Sequence, residues 1–120
     1  MTHQLNFIYN DSDWVCPAEY PDLSKATEIA IDLETKDPNI KTKGPGWATF
    51  DGHIVGFAVA ALGQQWYFPI AHDAGGNMDL SITCAWMQDV LKLPATKIFH
   101  NASYDVGWLL VNGFEIRGKI

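Results

Sequence analysis

The sequence predicts an α/β domain on a mixed sheet, three antiparallel strands followed by parallel strands, with helices packed on the faces. Three observations carry that expectation. The run Thr27-Glu28-Ile29-Ala30-Ile31-Asp32-Leu33-Glu34-Thr35 is compact, apolar and β-branched at Ile29 and Ile31, and it reads as a buried strand. Two more apolar runs, 54–61 and 65–70, are separated by a Leu62-Gly63-Gln64 turn short enough for a hairpin. From about Asp79 the apolar spacing changes to three and four residues, the period of a helix. The predicted order is β-β-β-α-β-α-β in one domain, 1–120, whose first 26 residues form an arm.

That arm offers a short strand candidate, Leu5-Asn6-Phe7-Ile8-Tyr9, then a polar turn and a segment punctuated by proline. Trp14, Val15 and Tyr20 are expected to pack it onto the domain. In the strand that follows, alternation sends Asp32 and Glu34 to one face and Ile29, Ile31 and Leu33 to the other. Adjacent carboxylates repel, and burying them unpaired costs roughly several kcal/mol, so a positive charge is expected between them. The competing reading is a strand end with two solvated acids. Next come Lys36-Asp37-Pro38-Asn39 and a Gly/Pro-rich loop, 41–47. Here Lys41, Lys43 and Trp47 offer charge and a stacking surface beside the acids, unless the loop is simply solvated around a packing Trp.

After the hairpin, His72 and Asp73 lie side by side in a loop and read as exposed polar residues rather than metal ligands. The first long helix spans about Asp79 to Leu93, capped by Ser81 or Asp79 and closed by Pro94. Its predicted core face is Ile82, Ala85, Trp86, Val90 and Leu93, with Met87 also inside and Asp89 exposed. Lys97-Ile98-Phe99-His100 reads as a short buried strand, and Ala102 to Val111 as a second helix stopped by Asn112-Gly113. The tail 114–120 alternates like the start of another strand.

Bulk properties narrow the function. The chain has 120 residues, 48% hydrophobic and 18% charged, a globular composition. Its net charge of −6 argues against gripping nucleic acid by bulk electrostatics, though not against an approach through bound cations. Cys16 and Cys84 are isolated thiols without a metal-type spacing, which suits a reduced, cytoplasmic protein. No apolar run approaches the ~20 residues needed to cross a bilayer.

A second constellation, His100-Asn101-Ala102-Ser103-Tyr104-Asp105, lies at a strand-to-helix junction. Asn101 is placed to cap the helix, and Asp105 follows on the same face near its positive end. If the strand carrying Phe99 lies parallel beside that carrying Asp32, a helical crossover brings Asp105 to the end where Asp32 and Glu34 project. Three carboxylates on one rim make a hard oxygen site suited to Mg²⁺ or Mn²⁺.

Ile-Asp-Leu-Glu-Thr at 31–35 and His-Asn-Ala-Ser-Tyr-Asp at 100–105 resemble the first two motifs of the four-acid 3′–5′ exonucleases. Residues 68–73 and 113–118 resemble segments of the proofreading domain of family A DNA polymerases. The wording at 21–24, 44–47 and 75–77 is most similar to phage members, which would place the protein in the host cytoplasm. The resemblance runs from about residue 14 onward. It implies a ribonuclease H-like fold and hydrolysis of the terminal phosphodiester at the 3′ end of single-stranded DNA, with a polymerase domain in the same or a companion chain. It also implies two divalent metal ions, Mg²⁺ or Mn²⁺: Asp32 bridging both, Glu34 holding one and orienting water, and Asp105 serving the other. Thr35 and Asn101 would sit close to the terminal nucleotide. One departure stands out: the family's third motif, with its fourth acid, has no counterpart, since no Asp, Tyr or His follows Asp105. The expectation is therefore a domain truncated before its last helices, binding metal weakly and degrading DNA poorly by itself. The alternatives are a stand-alone RNA exonuclease of the same superfamily and a non-catalytic module that positions nucleic acid.

Overall fold

The computed structural model describes residue 17 and residues 19–120. The strand candidate at 5–9, Trp14, Val15 and Cys16 lie outside the described residues. Four strands pair into one sheet: β1 (Glu28–Lys36), β2 (His53–Ala61), β3 (Gln64–Pro69) and β4 (Thr96–Phe99). Their spatial order is β3-β2-β1-β4, and the sheet is mixed, β1 lying antiparallel to β2 and parallel to β4. The helices are α1 (Ile40–Lys43), α2 (Gly46–Thr49), α3 (Leu80–Lys92) and α4 (Ala102–Val111).

Local chemistry explains most of these bounds. Ala61 pairs with Gln64, so the β2–β3 turn has two central residues, Leu62 and Gly63, both at positive φ. That backbone matches the right-handed twist of the flanking strands. The Asp79 side chain accepts the Ile82 N–H at 2.8 Å and starts α3. Gly113 takes φ 87 after α4, while the Phe114 N–H turns back to the Leu109 carbonyl at 3.0 Å. Residues 41–47, expected as irregular loop, instead form two single-turn helices on either side of Gly44 and Pro45.

The core lies on one face of the sheet. Ile29, Ile31 and Leu33 of β1, Phe57 and Val59 of β2 and Phe68 of β3 meet Met87, Val90 and Leu91 of α3 and Trp108 and Leu109 of α4. Burying a phenylalanine such as Phe57 or Phe68 contributes roughly 1.5–3 kcal/mol. The buried face of α3 differs from the predicted one: Ile82 is 58% exposed and Ala85 is exposed, whereas Thr83 is fully buried. Residues of the arm cause this rotation. Tyr20 stacks on Phe68 and donates to or accepts from Thr83 Oγ1 at 2.6 Å, and Trp86 Nε1 donates to the Pro21 carbonyl at 3.1 Å. A hydroxyl with a partner is buried there in place of an apolar side chain.

The tail 114–120 is not a strand. Gly118 turns it at φ 79, with room for no side chain because an added Cβ would stand 2.6 Å from the Ala95 carbonyl. Its backbone then divides between the end of α3 (Arg117 N–H to Leu91 O, 2.9 Å) and β4 (Lys97 N–H to Lys119 O, 2.7 Å). Among the described residues, no helix is long and apolar enough to cross a membrane.

Candidate active site

The second half of β1 carries two of the acids. Asp32 faces Ala58 across β2, and Glu34 faces Gly56. Immediately afterwards the register shifts, Thr35 pairing with Ile54, so a bulge bends the sheet just beyond the two carboxylates. Small residues at 56, 58 and 60 leave that face open to Tyr67 of β3, whose hydroxyl lies where a Cβ on Gly56 would be, 2.0 Å away.

The parallel pairing of β1 and β4 ends at Ile31 and Phe99. The chain then turns through His100 and Asn101 into α4, whose first turn carries Asp105. Both Asp32 (5% exposed) and Asp105 (2%) are buried, and Glu34 is half-buried. Burial raises Asp105, and the neighbouring Asp32 charge raises it further, to about 7, against a lowering hydrogen bond from the Asn101 backbone. Burial also raises Glu34, with Asp32 again adding to the effect. Asp32 is thus the acid coupled to each of the other two. One oxygen of Asp105 (Oδ2) and one of Glu34 (Oε2) are buried without a hydrogen-bond partner among the described residues.

These observations bear on whether the residues suit a divalent cation. An all-carboxylate set with buried, unpartnered oxygens and a raised pKa has the donor chemistry of a hard-cation site, because a bound cation would reverse the repulsion. Among the described residues, however, no three His, Cys, Asp or Glu side chains stand close enough together to hold a metal ion. The donor types fit, while a closed three-ligand cage is not formed by these side chains alone.

Thr35 and Asn101 are placed differently. Thr35 Oγ1 lies 2.9 Å from the Tyr104 hydroxyl, next to the acids. Asn101 occupies the N-cap position of α4 and is exposed, but its side chain makes no capping bond, contrary to expectation. It supports the helix through its carbonyl, which accepts the Asp105 N–H at 2.9 Å.

Residues without an expected role also surround the site. Asp37 Oδ2 accepts the Tyr104 hydroxyl at 2.7 Å and the Gly46 N–H at 3.0 Å. Its spacing from Glu34 and the adjacency of Tyr104 to Asp105 were the available signals, but neither names a partner. Trp47, anticipated as a stacking surface, is instead half-buried against Gly107 of α4, where an added Cβ would be 2.5 Å from the indole. His72 bonds the Tyr67 hydroxyl through Nε2, and burial lowers its pKa. Asp73 pairs with Lys36 at 3.0 Å in an exposed, solvent-screened contact. An apolar cavity of ≈ 570 Å³ bordered by Phe57, Ile70, Cys84 and Phe114 includes none of the three acids in its wall.

No protein-family model matches the chain. Over 114 residues it is 34% identical to a protein of Pseudomonas phage M6 named DNA-directed DNA polymerase, an alignment covering 91% of this chain. The chain spans 17% of that relative's length. It is therefore related to one region of a phage DNA polymerase.

Proposed function

We propose that this chain is part of the 3′–5′ proofreading exonuclease domain of a DNA polymerase, with a ribonuclease H-like fold. The observation that carries the reading is the burial of Asp105 beside Asp32 with one of its oxygens unpartnered. A scaffold gains nothing from such a pair, whereas a site for divalent cations requires it. The mixed sheet, the bulge after Glu34 and the 34% identity to a phage polymerase region all support the same assignment.

In this reading Asp32, Glu34 and Asp105 would hold two divalent cations, Mg²⁺ or Mn²⁺, together with ligands from outside this set. Such cations would supply a water of lowered pKa and neutralise charge on the departing oxygen. Asp32 contributes to both positions because it is coupled to each of the other acids. Thr35 and Asn101 would flank the terminal nucleotide of a single-stranded 3′ end. A polymerase domain would supply that end.

The test is release of the terminal nucleotide from 3′-labelled single-stranded DNA by the intact protein in Mn²⁺. Asp32→Asn and Asp105→Asn should each slow release by at least about 100-fold, beyond what loss of an outer metal-supporting group costs. Digestion that survives either substitution, or none by the unsubstituted protein, overturns the assignment and leaves a non-catalytic module. Equal release from RNA would point to the RNA exonuclease alternative.

A further inference from the structure

Residues 37–52 form a strap that leaves β1 three positions after Glu34 and returns at β2. Its two acids face inward. Asp37 receives the Tyr104 hydroxyl and the Gly46 N–H, and Asp51 receives the Asn39 side-chain amide at 2.5 Å. The Asp51 N–H closes the turn onto the Gly46 carbonyl at 2.9 Å. Gly46 is obligatory, because an added Cβ would lie 1.9 Å from the Asp51 carbonyl oxygen. Trp47 then seats the strap on Gly107, two residues beyond Asp105. The strap is fixed to the helix that carries an acid of the site.

Its outer side has the opposite character. Lys41 and Lys43 are exposed, and neither joins an ion pair among the described residues. Phe50 is 86% exposed and sits at φ 58, ψ 43, the left-handed region. That conformation costs a non-glycine residue on the order of 1–2 kcal/mol, and residues held so cluster at ligand clamps. A protein of net charge −6 here displays two unpaired cations and a solvent-facing ring on one strap. The chemistry complementary to that surface is an anionic chain carrying flat apolar rings.

We propose that the strap is a contact surface for single-stranded DNA entering the carboxylate site, Phe50 stacking on a base and Lys41 and Lys43 meeting phosphates. The choice of DNA strand rests on the exonuclease reading above. The stacking role falls to Phe50 rather than Trp47, whose ring is already occupied by α4.

The test is fluorescence anisotropy of a labelled oligothymidylate with the intact protein in EDTA, so that no cleavage intervenes. Phe50→Ala should weaken binding about tenfold, within the range for one lost base stack, and Phe50→Trp should restore it. Lys41→Ala with Lys43→Ala should flatten the dependence of log affinity on log salt by about 1.4, two charges at about 0.7 each. Phe50→Ala should leave that slope unchanged. All three side chains are exposed, so the variants fold. Unaltered affinity in Phe50→Ala, or an unaltered slope in the lysine variant, overturns the strap proposal even if nuclease activity is present. Strap-dependent binding without nuclease activity would uphold it and overturn the exonuclease reading instead.

Discussion

Replacing Asp105 by asparagine should make the cation-free protein more stable at pH 8, although it removes a residue of the proposed site. Raising this acid from 3.8 to about 7 disfavours its ionised form by on the order of 4 kcal/mol before solvent screening. Screening at a site rim reduces that to about 1–2 kcal/mol. The sign follows from proton linkage. A carboxyl raised in the folded state binds more protons there than in the unfolded chain, so its contribution is full below pH 3.8 and lost as pH rises through about 7. Asparagine keeps the shape and removes the charge. In EDTA at pH 8 the variant should melt roughly 4–8 °C above the parent, at about 4 °C per kcal/mol for a domain of this size. At pH 4 the two should coincide. Circular-dichroism melts of both proteins from pH 4 to 8.5 measure the difference, in which titrating groups away from Asp32 and Asp105 cancel. A variant that melts below the parent at pH 8 refutes the reasoning. Saturating Mn²⁺ should reverse the order by stabilising only the parent.

The sheet face opposite the core offers a steric test beside Glu34. Gly56→Ala places a Cβ 2.0 Å from the Tyr67 hydroxyl and should cost about 1–3 kcal/mol in a thermal melt, with loss of the Tyr67–His72 bond; an unchanged melting temperature would contradict the close approach. Lys97 is fully buried and its ammonium donates to the carbonyls of Leu93 and Arg117, the latter at 2.7 Å. Lys97→Met strands both carbonyls, costing roughly 1–3 kcal/mol, and should speed amide exchange across 114–119 selectively; uniform exchange along the chain would show that Lys97 does not anchor the tail.

Features governed by neighbours a few positions apart were legible in the sequence. Alternation at 29–34 separated core side chains from acids, and Ala102–Val111 was bounded correctly by its flanking signals. The hairpin followed from the short turn at Leu62-Gly63-Gln64, although Gln64 belongs to β3. The acids were legible as candidates because Asp32 and Glu34 share one strand face and Asp105 opens a helix. For the buried face of α3 and for the tail, the deciding contact was distant. Tyr20 decides which face of α3 is buried from 63 positions away, and the tail is turned from its expected strand by Gly118 against Pro94 and Ala95.

By itself the sequence determined the strand carrying Asp32 and Glu34, the helix start carrying Asp105, and the existence of a hairpin between β2 and β3. Backbone periodicity and turn chemistry act over a few residues, so nothing distant was needed. Only the tertiary structure decided that β1 and β4 run side by side, which brings Asp105 close enough to Asp32 for one charge to raise the other's pKa. It also decided that Asp37 ties the strap to Tyr104, turning Trp47 inward and Phe50 outward. Desolvation and charge repulsion depend on distance through space, and separation along the chain does not encode it.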